Sequence, residues 1–157
     1  KYQGLLYKYS GNIEFRITSK VLIEKLLSLG ISLKNKTFHL STPDSFYNDD
    51  CMKMYFRGIH DGDGNVKRSF NVKSKKWKGG EWRVLTASHT FIENLTNILN
   101  SKFSFNLKKR INSRANNKEY PEILTKSNQG KEILAWIYDG YEEFRLEDKY
   151  QKYLSVR

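Results

Sequence analysis

"YFRGIHDGDGNV", residues 55–66, carries an apolar helical turn straight into two aspartates and two glycines. The rest of the architecture hangs on what that junction is. A calcium loop of the EF-hand type beginning at Asp61 would place Asp63 and Asn65 correctly, but it needs Gly at its sixth position and Glu at its twelfth. The chain has Val66 and Val72 there, which excludes it. A tight turn suits Asp-Gly pairs and stays open on these residues alone. Against it, both acids would sit at the negative, C-terminal end of a helix, where each carboxylate costs roughly 0.3–1 kcal/mol. A bound hard divalent cation reverses that sign. Gly58 and Gly62 lie four apart, a spacing that lets two helix backbones approach closely. The stretch therefore describes two helices side by side, each delivering an acid at its lower end. Two acids with their metals suit phosphodiester cleavage on both strands of a duplex.

Outward from the junction, Asn48, Asp49 and Asp50 are helix-starting residues, so the helix begins there and runs through Phe56 and Ile59. After it, 65–73 alternates apolar and polar residues as a half-buried strand does, "WKGGEW" predicts a turn, and 82–87 predicts the returning strand. Ser88 caps a helix to about Leu99; strands follow over 105–111 and 120–125, then a long final helix from about Gln129 through Tyr141. Before the junction, Leu5–Tyr9 and 12–18 form a hairpin, Ser19 caps a helix to about Leu29, and "KTFHLS" is extended. The shift that carries Ser19 onto Ser88 also carries Ile23 onto Ile92, Glu24 onto Glu93, Leu26 onto Leu95 and Leu29 onto Ile98. That ordered match predicts an internal repeat, with the counterpart of Asp63 falling just before residue 1.

Composition agrees with a polyanionic partner. The chain of 157 residues has Lys+Arg 28 against Asp+Glu 17, a net charge of +11, and 14% aromatic residues. Seven Lys/Arg against five Asp/Glu in residues 1–50 leave +9 on the segment that holds the junction. A lone cysteine, Cys51, excludes an internal disulfide and a multi-cysteine zinc site. No apolar run approaches the roughly 20 residues that span a bilayer. The expected protein is soluble and intracellular, cytoplasmic with access to DNA and no membrane partner.

"FRGIHDGDG" (56–64) resembles, position for position, the signature helix of the LAGLIDADG homing endonucleases, and the strand–strand–helix order behind it matches one half-domain of that family. The resemblance implies an α+β LAGLIDADG fold. Residues 49–157 form a complete αββαββα half-domain with a curved antiparallel DNA-binding sheet. Residues 1–48 form the later part of a first half, its motif helix absent from the chain. The implied activity is a divalent-metal-dependent double-strand break at a long, specific DNA site, as in intron or intein homing. A non-cleaving DNA- or RNA-binding protein of the same fold, a maturase or regulator, is the alternative. Asp63 matches the catalytic, metal-binding acid and the Gly62 carbonyl its backbone companion ligand for Mg²⁺. Asp61 matches an acid that positions the motif end, and Phe56, Gly58, Ile59, Asp61 and Gly62 match the motif and its interface. The second helix would come from a missing N-terminal segment or from a second copy of the chain. Arg57 and His60 depart from the apolar or small residues usual at their positions, and His60 is expected on the exposed helix surface. Lys34, Lys36, Lys108, Lys109 and Lys126 are candidates for a basic residue near the metal.

Double-stranded DNA would meet the polar strand faces, where Arg and Lys read guanine, Asn and Gln read adenine, and lysines neutralise phosphate. Those faces hold Lys67, Ser69, Asn71 and Lys73 opposite Val66, Phe70 and Val72, and Asn106, Lys108, Arg110 and Asn112 opposite Phe105, Leu107 and Ile111. Arg83 on the returning strand, Asn12, Glu14 and Arg16 in the first hairpin, and Lys75, Lys76 and Lys78 in the second complete the set.

Overall fold

Local capping chemistry starts the helices where the sequence places them. In the computed structural model, which describes residues 5–9, 12–16, 18–28, 40, 42–43, 45–113, 119–140 and 145–157, the first hairpin pairs β1 (Leu5–Tyr9) with β2 (Asn12–Arg16). Ser19 Oγ accepts from the Leu22 N–H at the head of α1 (Lys20–Ser28). Asn48 Oδ1 accepts from Cys51 N–H at 2.9 Å and opens α2 (Asp49–Gly62). Ser88 Oγ does the same for Phe91 N–H in α3 (His89–Phe103). Each such cap is worth about 1 kcal/mol.

Between and after these helices come β3 (Gly64–Asn71), β4 (Lys76–Leu85), β5 (Arg110–Ser113), β6 (Glu119–Leu124), α4 (Ser127–Tyr138) and α5 (Glu147–Leu154). The protein is α+β. The second sheet is antiparallel throughout, in the order β3-β4-β6-β5. Its buried side presents Val66, Trp82, Val84 and Ile123 to the helices, where Ile92, Leu95 and Leu99 of α3 and Ile133, Leu134 and Ile137 of α4 complete one core. The "KTFHLS" stretch, apart from Leu40, the end expected at Leu29–Gly30, and Tyr141 lie outside the described residues.

Several expectations are corrected. The hairpin turns at Val72–Lys75, not within "WKGGEW": Asn71 Oδ1 accepts from Ser74 N–H at 3.1 Å and Lys75 takes a left-handed φ of 50°. The glycines of "WKGGEW" instead make a bulge in mid-strand, where Lys67 faces Glu81 and Arg68 faces Gly79. Both have positive φ, 121° at Gly79 and 105° at Gly80, which only glycine adopts cheaply. Phe70 and Val72 do not join the core, because the hairpin runs beyond the helices; Val72 is 78% exposed. The strand expected over 105–111 shrinks to Arg110–Ser113. Asn100 takes over the backbone of Leu107, its amide donating to the carbonyl at 3.0 Å and its oxygen accepting from the N–H at 2.7 Å, so no ladder forms there. The last helix stops at Tyr138, and α5, absent from the sequence expectation, follows.

α4 lies unusually close to β4. A Cβ on Gly130 would sit 2.5 Å from the Trp82 nitrogen and closer still to the Gly80 carbonyl. Thr125 Oγ1 accepts from Trp82 N–H at 2.8 Å in the same contact. Glycine-to-alanine inside a helix ordinarily stabilises by about 1 kcal/mol. Here backbone must move, so Gly130→Ala is expected to destabilise by about 1–3 kcal/mol in chemical denaturation. An unchanged or raised midpoint would show that α4 can shift off β4.

Candidate functional site

α2 has two unlike faces. Toward the core, Phe56 packs on Trp136 with ring centroids 5.6 Å apart. Arg57 reaches the C-terminal end of α4, donating from Nε to the Ile137 carbonyl at 2.6 Å and from Nη2 to the Gly140 carbonyl at 3.0 Å. A buried guanidinium is tolerable there because it meets the orphan carbonyls at a negative helix end. His60 is fully buried, which corrects its expected surface position. Trp82 Nε1 donates to His60 Nδ1 at 3.1 Å, so the neutral ring carries its proton on Nε2. Among the described residues that Nε2 has no partner. Burial first, then the charges of Lys149 and Lys152, push the pKa of His60 from 6.5 down to about 3. Phe56, expected in the motif interface, belongs to this inner face.

Among the described residues the outer face is open. Gly58 and Gly62 have nothing within 4 Å of an added Cβ, and both are exposed. An apolar groove of about 690 Å³ runs along this face, walled by Leu40, Phe46, Met54, Tyr55, Ile59 and Phe91, and it ends at Asp63. Gly64 is different: a Cβ there would lie 2.5 Å from His60 Cα, so the chain must be bare where it doubles back from α2 into β3.

The two acids of the junction separate here. Asp61 is held by the fold, accepting from Tyr138 Oη at 3.4 Å and from Leu146 N–H at 3.2 Å. Burial and the Asp61 carboxylate together raise the pKa of Tyr138. Asp63 is exposed, and among the described residues no hydrogen bond or ion pair holds its carboxylate. It borders a second, polar pocket of about 440 Å³ with Gly62, Asn65, Arg83, Leu85 and Lys149. Lys149 Nζ donates to the Gly64 carbonyl. Burial and Lys152 lower its pKa, against the opposing pull of Asp61 and Asp63. Lys149 is not among the lysines picked out from the sequence. Its signal was faint, since nothing in "EDKYQKYL" marks a helix that returns to the junction. For a hard cation this chain offers the Asp63 carboxylate and the Gly62 carbonyl. Among the described residues no cluster of three His, Cys, Asp or Glu side chains exists.

Of the described residues expected on DNA, Arg83 alone lines the pocket beside Asp63, its Nε 2.7 Å from the buried Glu122 carboxylate. By register Asn65 lies opposite Arg83, Lys67 opposite Glu81, and Arg110 opposite Glu122, so these side chains share the sheet face away from the core. Lys67 pairs with Glu81 at 3.3 Å. Lys73 and Lys75 are exposed around the hairpin turn, while Asn71 is committed to that turn. Lys108 is exposed ahead of β5, and Ile111, expected inside, is 45% exposed. The side chains of Arg16 and of the rest of the first hairpin lie outside those described. Lys34 and Lys36 do too; Lys109 pairs with Glu93 at 3.1 Å, and Lys126 is exposed at the head of α4.

No protein-family model matches the chain, and no curated protein is significantly similar to it. Among the described residues no helix is long and apolar enough to cross a membrane.

His60 gives the fold an acid sensitivity of defined sign. Its folded pKa, about 3, lies below the ordinary 6.5, so the unfolded chain takes up a proton that the folded chain refuses. The contribution is whole above pH 6.5 and is lost progressively as pH falls toward about 3, each unit being worth about 1.4 kcal/mol. Denaturant melts across that range should show wild type losing stability more steeply than His60→Asn, which cannot take up the proton. Equal slopes would mean the imidazole is already solvated.

Proposed function

We propose that this chain is a LAGLIDADG-type DNA endonuclease half that cuts both strands of a duplex with Asp63 and a divalent cation. The observation that carries the reading is the open face of α2. Glycine in mid-helix costs about 1 kcal/mol against alanine, and at Gly58 nothing among the described residues requires it. A second helix seated in the groove would use both Gly58 and Gly62 and would bring its own acid beside Asp63, where groove and polar pocket meet. Residues 49–157 supply one αββαββα half on this reading. Residues 1–48 supply the later part of another, in keeping with α1, which buries none of its residues and leaves Val21 64% exposed. The second helix comes from a preceding segment or a second copy; the uncovered α1 favours the first.

Asp63 and the Gly62 carbonyl would hold Mg²⁺ together with the partner acid, and the ion would activate water and stabilise the leaving oxygen. The water oxygen bonds to phosphorus as one bridging P–O bond breaks. The water's proton passes to solvent, and the departing oxygen takes one from solvent. The chain's own residues position the phosphate. Asn65 and Arg83 flank Asp63 on the sheet face, and Lys67, Lys73, Lys75, Lys108 and Arg110 extend the basic track toward neighbouring phosphates and base edges.

The decisive experiment selects a cleavable duplex from a random-sequence library with Mg²⁺ and compares wild type with Asp63→Asn. Wild type should cut both strands, and Asp63→Asn should bind within a few-fold but cut at least about 100-fold more slowly. A wild type that binds and never cuts would make the chain a non-cleaving nucleic-acid binder of the same fold; no binding would end the reading. The groove has a separate test. Gly58→Leu meets open space in this chain, so its melting temperature should hold or rise, while association with the second helix, followed by light scattering, should be lost. Unimpaired association would place the second helix elsewhere.

A further inference from the structure

We infer that the helix-side face of the β3–β4 hairpin, floored by Phe70, Val72 and Trp77, is a docking surface for an acidic segment of a partner protein that also carries apolar side chains. Simple alternation would not put Trp77 on this face. Trp77 and Trp82 lie five residues apart, so a regular strand would send them to opposite sides of the sheet. The Gly79–Gly80 bulge adds one residue to β4 and restores them to the same side: Trp82 faces Val66, and Trp77 faces Phe70, four residues further along β3. Val66 and Trp82 are buried there, but Phe70 is 48% exposed, Trp77 44% and Val72 78%. The bulge thus aims an indole at a face that the described helices leave uncovered. The patch is also held in shape before anything binds. Phe70 and Trp77 meet edge to face at 5.3 Å, and Arg68 lies over the indole at 4.3 Å while its Nη1 donates to Ser155 Oγ at 2.7 Å, just past the end of α5. A fixed tryptophan backed by a guanidinium is the kind of anchor on which protein interfaces concentrate their binding energy, and little ordering cost remains to be met.

Charge selects the occupant. From Lys67 to Lys78 the chain has six Lys/Arg and no Asp or Glu, and Lys73 and Lys75 stand exposed at the turn next to Val72. A second copy would set these cations against their own kind. A single-stranded nucleic acid would match the charge but needs open ring faces for successive bases. Here Arg68 covers one face of the indole, the Phe70 ring is turned 62° to it, and Val72 offers no ring. A duplex, on the proposed reading, meets the other side of the hairpin, where register places Lys67, Asn71, Lys76 and Lys78. A lipid surface would reach Lys73 and Lys75 at the tip before the patch, which lies behind them toward α5. A segment with carboxylates and apolar side chains satisfies both parts at once, its acids on Lys73 and Lys75 and its apolar groups on Phe70, Val72 and Trp77. The inference goes beyond the endonuclease reading and does not depend on it.

The test pans a phage-displayed library of random peptides on the full chain, with the double variant Phe70→Ser, Val72→Ser, whose charge is unchanged, as the counter-selection. Enriched peptides should carry Asp or Glu beside apolar residues. The most enriched sequence, made as a synthetic peptide, should bind wild type, weaken as salt rises, and lose at least about tenfold in affinity on the double variant. Lys73→Glu with Lys75→Glu should lose at least as much. Both serines replace side chains outside the core, so the melting temperature should hold; if the double variant does not fold, Val72→Ser alone is read the same way. No enrichment over the counter-selection, or enriched peptides without acidic residues, would overturn the proposal. So would oligo(dT) or phosphatidylserine vesicles that bind wild type and lose tenfold on the double variant, which would assign the patch to single-stranded nucleic acid or to lipid. A dimer in light scattering that the double variant abolishes would overturn it in favour of a second copy.

Discussion

The indole of Trp82 donates to His60 where α2, β3 and β4 meet, and the remaining geometry of the junction follows from that contact. β3 leaves the helix by passing directly over residue 60, against both its backbone and its ring, so residue 64 must be glycine. The chain therefore reverses within Asp63 alone, and that side chain is left at the corner between two surfaces. One is the open apolar face of α2, the other the polar face of the sheet. The close passage of the chain over residue 60 thus sets where the acid stands. Its Nε2 lacks a partner among the described residues, and a buried unsatisfied donor costs about 1–3 kcal/mol. That cost is borne for a contact which a simple apolar residue could not orient.

Asp61 and Asp63 are chemically identical and two residues apart, yet the fold gives them opposite fates. A carboxylate at a helix C-terminus is unfavourable by some tenths of a kcal/mol up to about 1. Asp61 offsets this with the Tyr138 hydroxyl and the Leu146 N–H, and in doing so fixes the C-terminal helix to the motif. Asp63 has no such compensation within the described chain, and exposure to water is what keeps its cost small. The same reasoning explains Arg57 on the inner face. It turns the helix-end field to advantage by standing among the last carbonyls of α4, and so locks α2 and α4 together while the outer face stays free.

What could be read from the sequence was local. Asn48, Ser88 and Ser19 cap their helices through bonds to residues three positions on, and the apolar stripes of α3 and α4 needed only the helical period. The misreadings came from contacts across the fold. The Gly79–Gly80 pair is a bulge instead of a turn because α4 presses on β4 at Gly130. Alternation over 105–111 predicts a strand, but Asn100 from α3 claims the backbone of Leu107 and only its end pairs. Polarity alone predicts an exposed His60, a rule that fails when an indole N–H waits in the core. Lys149 carries no sequence signal because α5 is anchored by tyrosines and a distant aspartate, which leave no periodic mark. At the site, the free acid, the glycine spacing and Arg83 were legible; the cation beside Asp63 was not.

The polar sheet face is more discriminating than the net charge of +11 suggests. A surface built only to attract phosphate would have no use for Glu81 and Glu122, each of which sits among the basic residues and neutralises one of them. Exposed pairs such as Lys67–Glu81 are worth at most about 1 kcal/mol, so Lys67 can change partner at little cost. The Arg83–Glu122 pair is deeper, and Arg83 keeps its direction. Glutamate repels a phosphate but accepts from the exocyclic amine of cytosine. On the proposed reading, a duplex lying against this face would be held by lysines that yield and tested by Arg83, whose direction the buried Glu122 fixes, and by Glu81 once Lys67 has moved to a phosphate. If the proposed function holds, that division of labour is what cutting one sequence and sparing the others requires.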